Sequence, residues 1–163
     1  MASEIYLNRF NKEMGEISIS ISDWKACENK INELKLVNDE GRLDRVEYFC
    51  KAINDWIPIF WIDSKGNGFM RQSGFFRFEE SFEKAIKVAK NLDAIIWGED
   101  GQILYEPNYG VIYDDCEPYE TPTITFDDFL DKKIYFQEDV KKAIQELIRE
   151  KVENLNNNSE LKN

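Results

Sequence analysis

The order of strand-like and helix-like segments is the sequence feature that most limits the folds open to this chain. Apolar and polar residues alternate in Ile5–Phe10 and again over residues 17–21, which is typical of half-buried strands. Denser apolar runs at 57–62 and 94–97 indicate buried strands. Strand-like and helix-like segments follow one another without a regular βαβ rhythm. The order therefore predicts an α+β fold, with an antiparallel or mixed sheet and about three helices packed on one side of it.

Apolar residues at helical spacing give the positions of the helices. The clearest pattern covers Phe82–Leu92, and acid-first pairs of opposite charge four residues apart support it. A first helix is predicted over residues 23–35, with Ser22 or Asp23 as its N-cap. A final helix is predicted over residues 137–155.

Turn-forming residues mark two hairpins and the end of the domain. The cluster at 63–68 predicts an antiparallel hairpin whose second strand covers Phe69–Phe78, and Asp100-Gly101 predicts another tight turn. The chain length fits a single domain, which we place at residues 1–155. The polar residues 156–163 are expected to fray.

The composition predicts a soluble domain with its own core. Apolar residues make up 42% of the chain and aromatic residues 13%, which is enough to build a core. Most of Trp56, Trp61 and Trp97 are expected to lie in that core, because they occur in or beside predicted strands. No apolar stretch approaches the ~18 residues of a membrane span, and no signal-peptide pattern opens the chain. We therefore expect a cytoplasmic protein without membrane contact.

The absence of histidine and the scattered positions of the cysteines disfavour catalysis and metal binding. The chain has no histidine, which is the most common general base and transition-metal ligand. Cys27, Cys50 and Cys116 form no CxxC pair. We therefore expect no catalytic residue, no metal, no cofactor and no disulfide. An enzyme is the third of our functional hypotheses.

Charge segregation is the sharpest feature of the sequence. The segment from Asn91 to Asp131, which we call the acidic window, contains eleven acidic residues and no Lys or Arg. The remaining 21 acidic residues balance the 21 basic ones, so the whole net charge of −11 comes from this window. Such a charge repels nucleic-acid phosphates and disfavours direct nucleic-acid binding. It attracts a basic partner from a distance.

Four of the seven tyrosines also lie in the acidic window. Tyrosine gives a large contact area at low entropic cost, and interfaces are enriched in it. We therefore predict that the window binds a basic protein. The predicted partner-binding residues are Glu99, Asp100, Glu106, Tyr109, Tyr113, Asp114, Asp115, Glu117, Tyr119 and Glu120.

Two other interpretations of the acidic window remain open. It is either a solvated loop that aids solubility or a site for a hard cation, with oxygen ligands from Asp114, Asp115 and Glu117. The second interpretation is the weaker, because the segment lacks the ligand spacing of an EF-hand loop.

Two stretches resemble a known group of proteins. The opening Ile5-Tyr6-Leu7-Asn8-Arg9-Phe10 resembles the start of small acidic immunity proteins encoded beside bacterial polymorphic and contact-dependent-inhibition toxins. The run from Phe82 to Ala94, followed by Trp97 to Tyr105, is similar to their common helix–strand–turn–strand ending. Together these stretches cover about 30 of the 163 residues, and their motifs are structural.

The resemblance implies an antitoxin role, in which stoichiometric binding to a toxin domain masks its active site or blocks its function. The leading hypothesis is therefore an immunity-type inhibitor. The alternative is an acidic nucleic-acid mimic or a regulatory adaptor from a mobile element.

Overall fold

A computed structural model describes residues 3–112 and 122–161 and shows an α+β domain built on a nine-stranded sheet. Every strand pairing in this part of the chain is antiparallel. The strands are β1 (Glu4–Phe10), β2 (Glu16–Ile17), β3 (Leu34–Asp39), β4 (Arg42–Cys50), β5 (Asp55–Ile62), β6 (Gly68–Arg71), β7 (Ile95–Gly98), β8 (Ile103–Glu106) and β9 (Gly110–Val111). Their order in the sheet is β3-β4-β5-β6-β1-β7-β8-β9, and β2 pairs with the end of β1. The α+β prediction is confirmed.

Five α-helices are present in the described residues, and three of them have seven or more residues. They are α1 (Ile21–Lys30), α2 (Gln72–Phe75), α3 (Glu79–Leu92), α4 (Phe126–Asp131) and α5 (Val140–Leu161), with a short 3₁₀ helix at Ile134–Phe136 before α5. No helix in the described part of the chain combines the length and the apolar character needed to cross a bilayer.

One face of the sheet, here the inner face, carries the larger core. Helix α1 contributes Trp24 and Cys27 to this core, and α3 contributes Ala85, Val88, Ala89 and Leu92. The strands β1 and β4 contribute Leu7, Val46 and Tyr48. The predicted apolar face of Phe82–Leu92 therefore packs on the sheet as its spacing indicates.

The opposite face, here the outer face, carries a second core, so the expectation that all helices lie on one side is wrong. On β7, Ile96 belongs to the first core and its neighbour Ile95 to the second, because successive strand residues point to opposite faces. The second core consists of Ile95, Ile103, Ile112, Ile124, Phe129, Ile134, Ile144 and Leu147. It fills the space between the β7–β8 end of the sheet and the C-terminal helices.

The first helix begins and ends earlier than predicted. Ser20 is its N-cap: the Ser20 hydroxyl accepts a hydrogen bond from the Asp23 amide at 3.1 Å, and the Asp23 carboxylate accepts one from the Ser20 amide at 3.0 Å. This capping box makes Asp23 the third helical residue and not the cap. The helix ends at Lys30, and Leu34 opens strand β3.

Two other boundaries differ from the prediction. Strand β6 ends at Arg71, because the buried Phe75 packs on the inner face against the rings of Phe76 and Phe82, at 5.0 and 5.7 Å between centroids. The chain therefore leaves the sheet and forms α2. Helix α5 continues to Leu161, beyond residue 155 where the final helix was expected to end.

Candidate protein-binding surface

Most of the predicted partner-binding residues fall outside the described part of the chain. Tyr113, Asp114, Asp115, Glu117, Tyr119 and Glu120 all lie in residues 113–121. The structure therefore describes only Glu99, Asp100, Glu106 and Tyr109 of the predicted set.

Glu106 is not a surface residue, and its assignment to the binding surface is corrected. Its side chain is fully buried at the end of β8. One carboxylate oxygen accepts hydrogen bonds from the backbone amides of Asn108 and Tyr109, at 3.0 and 2.9 Å. The other accepts one from the Asn108 side-chain amide at 3.0 Å and a longer one from the Tyr135 hydroxyl at 3.5 Å. Burial raises the pKa of Glu106, although these donors oppose the shift. Glu106 therefore stabilises the turn after β8.

Tyr109 is held mainly by the domain itself. Its side chain is half-buried and packs against the second core, and its amide donates to Glu106. Tyr105, the other described tyrosine of the acidic window, is buried in the first core. Burial is the main cause of its raised pKa. Neither tyrosine presents a freely exposed ring to a partner.

Glu99 and Asp100 are exposed, and they lie in the tight turn between β7 and β8 that Asp100-Gly101 predicts. The Glu99 amide donates to the Glu4 carbonyl at 3.1 Å, so the turn lies beside the start of β1. The Phe126 amide donates to the Gly101 carbonyl at 3.1 Å, which joins the turn to the start of α4. Three chain segments therefore meet at this acidic corner.

The surface acids of the window lack basic partners within the described residues. Five of its seven described acids are exposed: Asp93, Glu99, Asp100, Asp127 and Asp131. None of these five makes an ion pair with another described residue. Asp128 is different, because Lys151 of α5 pairs with it at 2.6 Å and both side chains are only about one quarter exposed.

The structure shows a second surface feature that the sequence did not predict. Strands β4 to β6 and β1 present large aromatic side chains on the outer face that belong to neither core. We call these residues the aromatic patch, which consists of Tyr6, Phe49, Trp56, Trp61 and Phe69. Trp61 is 37% exposed and the other four are half-buried. Contrary to expectation, Trp56 and Trp61 are therefore not core residues.

Trp97 connects the aromatic patch with the second core. Its ring lies 4.7 Å from that of Tyr6 and 4.9 Å, edge-on, from that of Phe126. Its indole nitrogen donates to Asn8 at 2.9 Å. Trp97 is half-buried and packs against the second core.

Other sites in the described residues offer no assembled chemistry. A groove of about 510 Å³ between the 3₁₀ helix and α5 is lined by Phe136, Lys142, Ala143, Glu146 and Glu150, among others, and mixes both charges with apolar groups. Among the residues that the structure describes, no group of three or more Cys, Asp or Glu side chains is placed to hold a metal ion. The candidate cation ligands Asp114, Asp115 and Glu117 lie outside those residues.

Comparison with known proteins identifies no relative. No family model, no curated protein and no solved structure matches the chain.

Proposed function

We propose that this protein is a cytoplasmic inhibitor that binds a basic protein partner, and that the partner is a bacterial toxin domain. The observation that carries the proposal is the segregation of charge. The entire net charge of −11 arises in the acidic window. Its five exposed acids in the described part of the chain are not neutralised by described Lys or Arg side chains.

The arrangement of these acids suits long-range attraction. Glu99 and Asp100 stand on a hydrogen-bonded turn, and the start of α4 with Asp127 lies directly against it. Fixed charges of one sign at one corner of a domain raise the rate at which an oppositely charged protein docks. Residues 113–121 add four more acids to the same window.

The proposal that the partner is a toxin rests on the resemblance to immunity proteins. The two stretches that carry the resemblance are neighbours in the fold, since β1 pairs with β7 and β7 pairs with β8. An inhibitor of this kind needs no reaction chemistry, because stoichiometric occupation of the partner's active site is enough.

Purification of a tagged chain from its native host, followed by growth assays, tests the proposal. We expect a basic protein to co-purify at a 1:1 ratio. We also expect that expression of the co-purified partner alone arrests growth and that co-expression of the inhibitor restores growth. An acidic or neutral partner, or arrest that the inhibitor does not relieve, would contradict the proposal.

A matched pair of variants then tests the acidic window. The first replaces Asp114, Asp115 and Glu117 by Asn, Asn and Gln. The control replaces Glu83, Glu138 and Glu146, three exposed acids outside the window, by Gln. Both variants lose three negative charges, and we expect the first to slow association more than the control. If both slow it equally, the window is a solubilising segment.

A further inference from the structure

A row of side chains crosses the outer face of the sheet at one level. Its members are register partners on adjacent strands, from β3 to β7: Val37, Arg45, Trp61, Phe69, Tyr6 and Trp97. At about 4.8 Å between strands, the row is about 24 Å long. Its central part has no described helix over it, since Tyr6, Phe69 and Trp61 pack in neither core.

One end of this row shows how the surface holds a cation. The Arg45 guanidinium lies over the Trp61 ring, 5.7 Å from its centroid. Its nitrogens are bound by two carboxylates, Asp44 at 2.8 Å and Glu47 at 3.1 Å. An aromatic ring below and two carboxylates beside a guanidinium form a favourable site for arginine, because cation–π attraction and charge-assisted hydrogen bonds act together.

The other end of the row has the same parts without the cation. The Tyr6 hydroxyl donates to Glu4 at 2.9 Å, and Glu99 is close enough for its charge to raise the pKa of Tyr6, after the larger effects of the Glu4 hydrogen bond and burial. The Trp97 ring extends the aromatic surface, 4.7 Å away. No cation–π contact or ion pair among the described residues involves Tyr6, Glu4 or Glu99.

Arg71 is the nearest basic residue in the strand register. It is the partner of Glu4 across β1 and β6, and its side chain is exposed. No ion pair joins it to Glu4. The two carboxylates Glu4 and Glu99 therefore retain hydrogen-bonding capacity for a group from outside the domain.

We propose that Tyr6 and Trp97, together with Glu4 and Glu99, bind an arginine side chain of a basic protein that docks on the outer face of the sheet. Charge complementarity identifies the occupant: the acidic corner excludes an anionic ligand and favours a guanidinium over the rings. The rest of the row, through Phe69 and Trp61, supplies apolar contact area. The identity of this partner as a protein rests on the proposed function, but the arginine site itself is testable without that partner.

The test is an NMR titration with short peptides. The probe is acetyl-Gly-Arg-Gly-Arg-Gly-amide, compared with analogues that carry lysine or neutral citrulline in place of arginine. We expect saturable shifts of the Trp97 indole and the Tyr6 amide with the arginine peptide, weaker binding of the lysine peptide, and none of the citrulline peptide. No shift at Trp97 up to about 10 mM arginine peptide would overturn the proposal.

Variants locate the binding to the two carboxylates. Glu4→Gln with Glu99→Gln removes two charges from the site, whereas Glu83→Gln with Glu146→Gln removes two exposed charges elsewhere. The first pair should lower the affinity for the arginine peptide at least about tenfold, since each charge-assisted hydrogen bond is strong. The second should change affinity less than about twofold. Tyr6→Leu, which keeps both carboxylates, should also weaken binding.

The outcomes separate this inference from the proposed function. Equal loss in both double variants, or shifts that centre on residues 113–121, would place the arginine elsewhere and overturn the inference. The proposal of a basic toxin partner would then still stand. Conversely, an arginine site at Tyr6 together with a co-purified partner that is not basic would overturn the proposed function alone.

Discussion

Replacement of the buried Glu106 by Gln tests whether this acid is structural, as its position at the end of β8 indicates. In the wild type, one carboxylate oxygen accepts hydrogen bonds from two backbone amides, and the other accepts them from the Asn108 side-chain amide and, at 3.5 Å, from the Tyr135 hydroxyl. The Gln carbonyl can keep the two backbone bonds. Its NH₂ group then faces the Asn108 side-chain NH₂, so the hydrogen bond from Asn108 is lost, and the longer contact with the Tyr135 hydroxyl is kept only with Tyr135 as the acceptor. We expect Glu106→Gln to lower the free energy of unfolding by about 1–2 kcal/mol near neutral pH.

The pH dependence of that difference follows from the direction of the pKa shift. Burial raises the folded-state pKa of Glu106 above its ordinary value of 4.5. A raised carboxyl pKa contributes stability that is fully present below the unfolded-state pKa and is lost as pH rises through the folded-state pKa. The wild type should therefore exceed the Gln variant in stability by more at pH values below 4.5 than at neutral pH.

Urea denaturation of both proteins at a series of pH values provides the measurement. The comparison cancels the contributions of the other acids, because both proteins carry them. Glu106→Leu serves as the control for burial, and we expect it to cost about 2–4 kcal/mol, since the Asn108 and Tyr109 amides lose their acceptor. A Gln variant as stable as the wild type, or a difference that grows as pH rises, would refute this account of Glu106.

Three further predictions concern single residues. Gly66→Ala should lower the free energy of unfolding by several kcal/mol, because a Cβ there would lie 1.8 Å from the Ile19 carbonyl oxygen at a φ of +85°. Gly101→Ala has a similar φ of +82° but open space around it, so it should cost only about 1 kcal/mol. Urea denaturation measures both variants. Thr125→Ala removes the capping box of α4 and should lower the free energy of unfolding by about 1 kcal/mol in the same assay. An unchanged stability would contradict the capping role of Thr125. Cys27 should resist iodoacetamide at pH 8 until the protein unfolds, since burial raises its pKa to about 12; fast labelling of Cys27 in the folded protein would contradict this.

The sequence predicted elements whose signals are local. The helix at Phe82–Leu92 and the turn at Asp100-Gly101 appear where spacing and turn residues place them. Strand β3 was missed because Ile31 and Leu34 are both buried and also fit the spacing of the preceding helix. The helix nevertheless ends at Lys30, and Leu34 reaches the core from a strand. Periodicity alone does not distinguish these two routes to burial.

The candidate surface depends on contacts that no local pattern encodes. Tyr6 meets Trp97 and Phe69 because β1 lies between β6 and β7, and that strand order joins residues more than 60 positions apart. Trp61 was expected in the core because large aromatic residues in strands usually are. Glu106 was predicted to be a surface charge, because the backbone amides of Asn108 and Tyr109 that donate to its carboxylate come together with it only in the folded turn.

The association rate constant with the co-purified partner, measured as a function of salt concentration, tests the central claim most directly. If the acidic window steers a basic protein, the rate constant should fall at least about tenfold from low salt to physiological ionic strength, where the Debye length is about 8 Å. The dissociation rate constant should change much less. An association rate constant that does not depend on salt would contradict the claim that charge complementarity with a basic partner underlies the function of this protein.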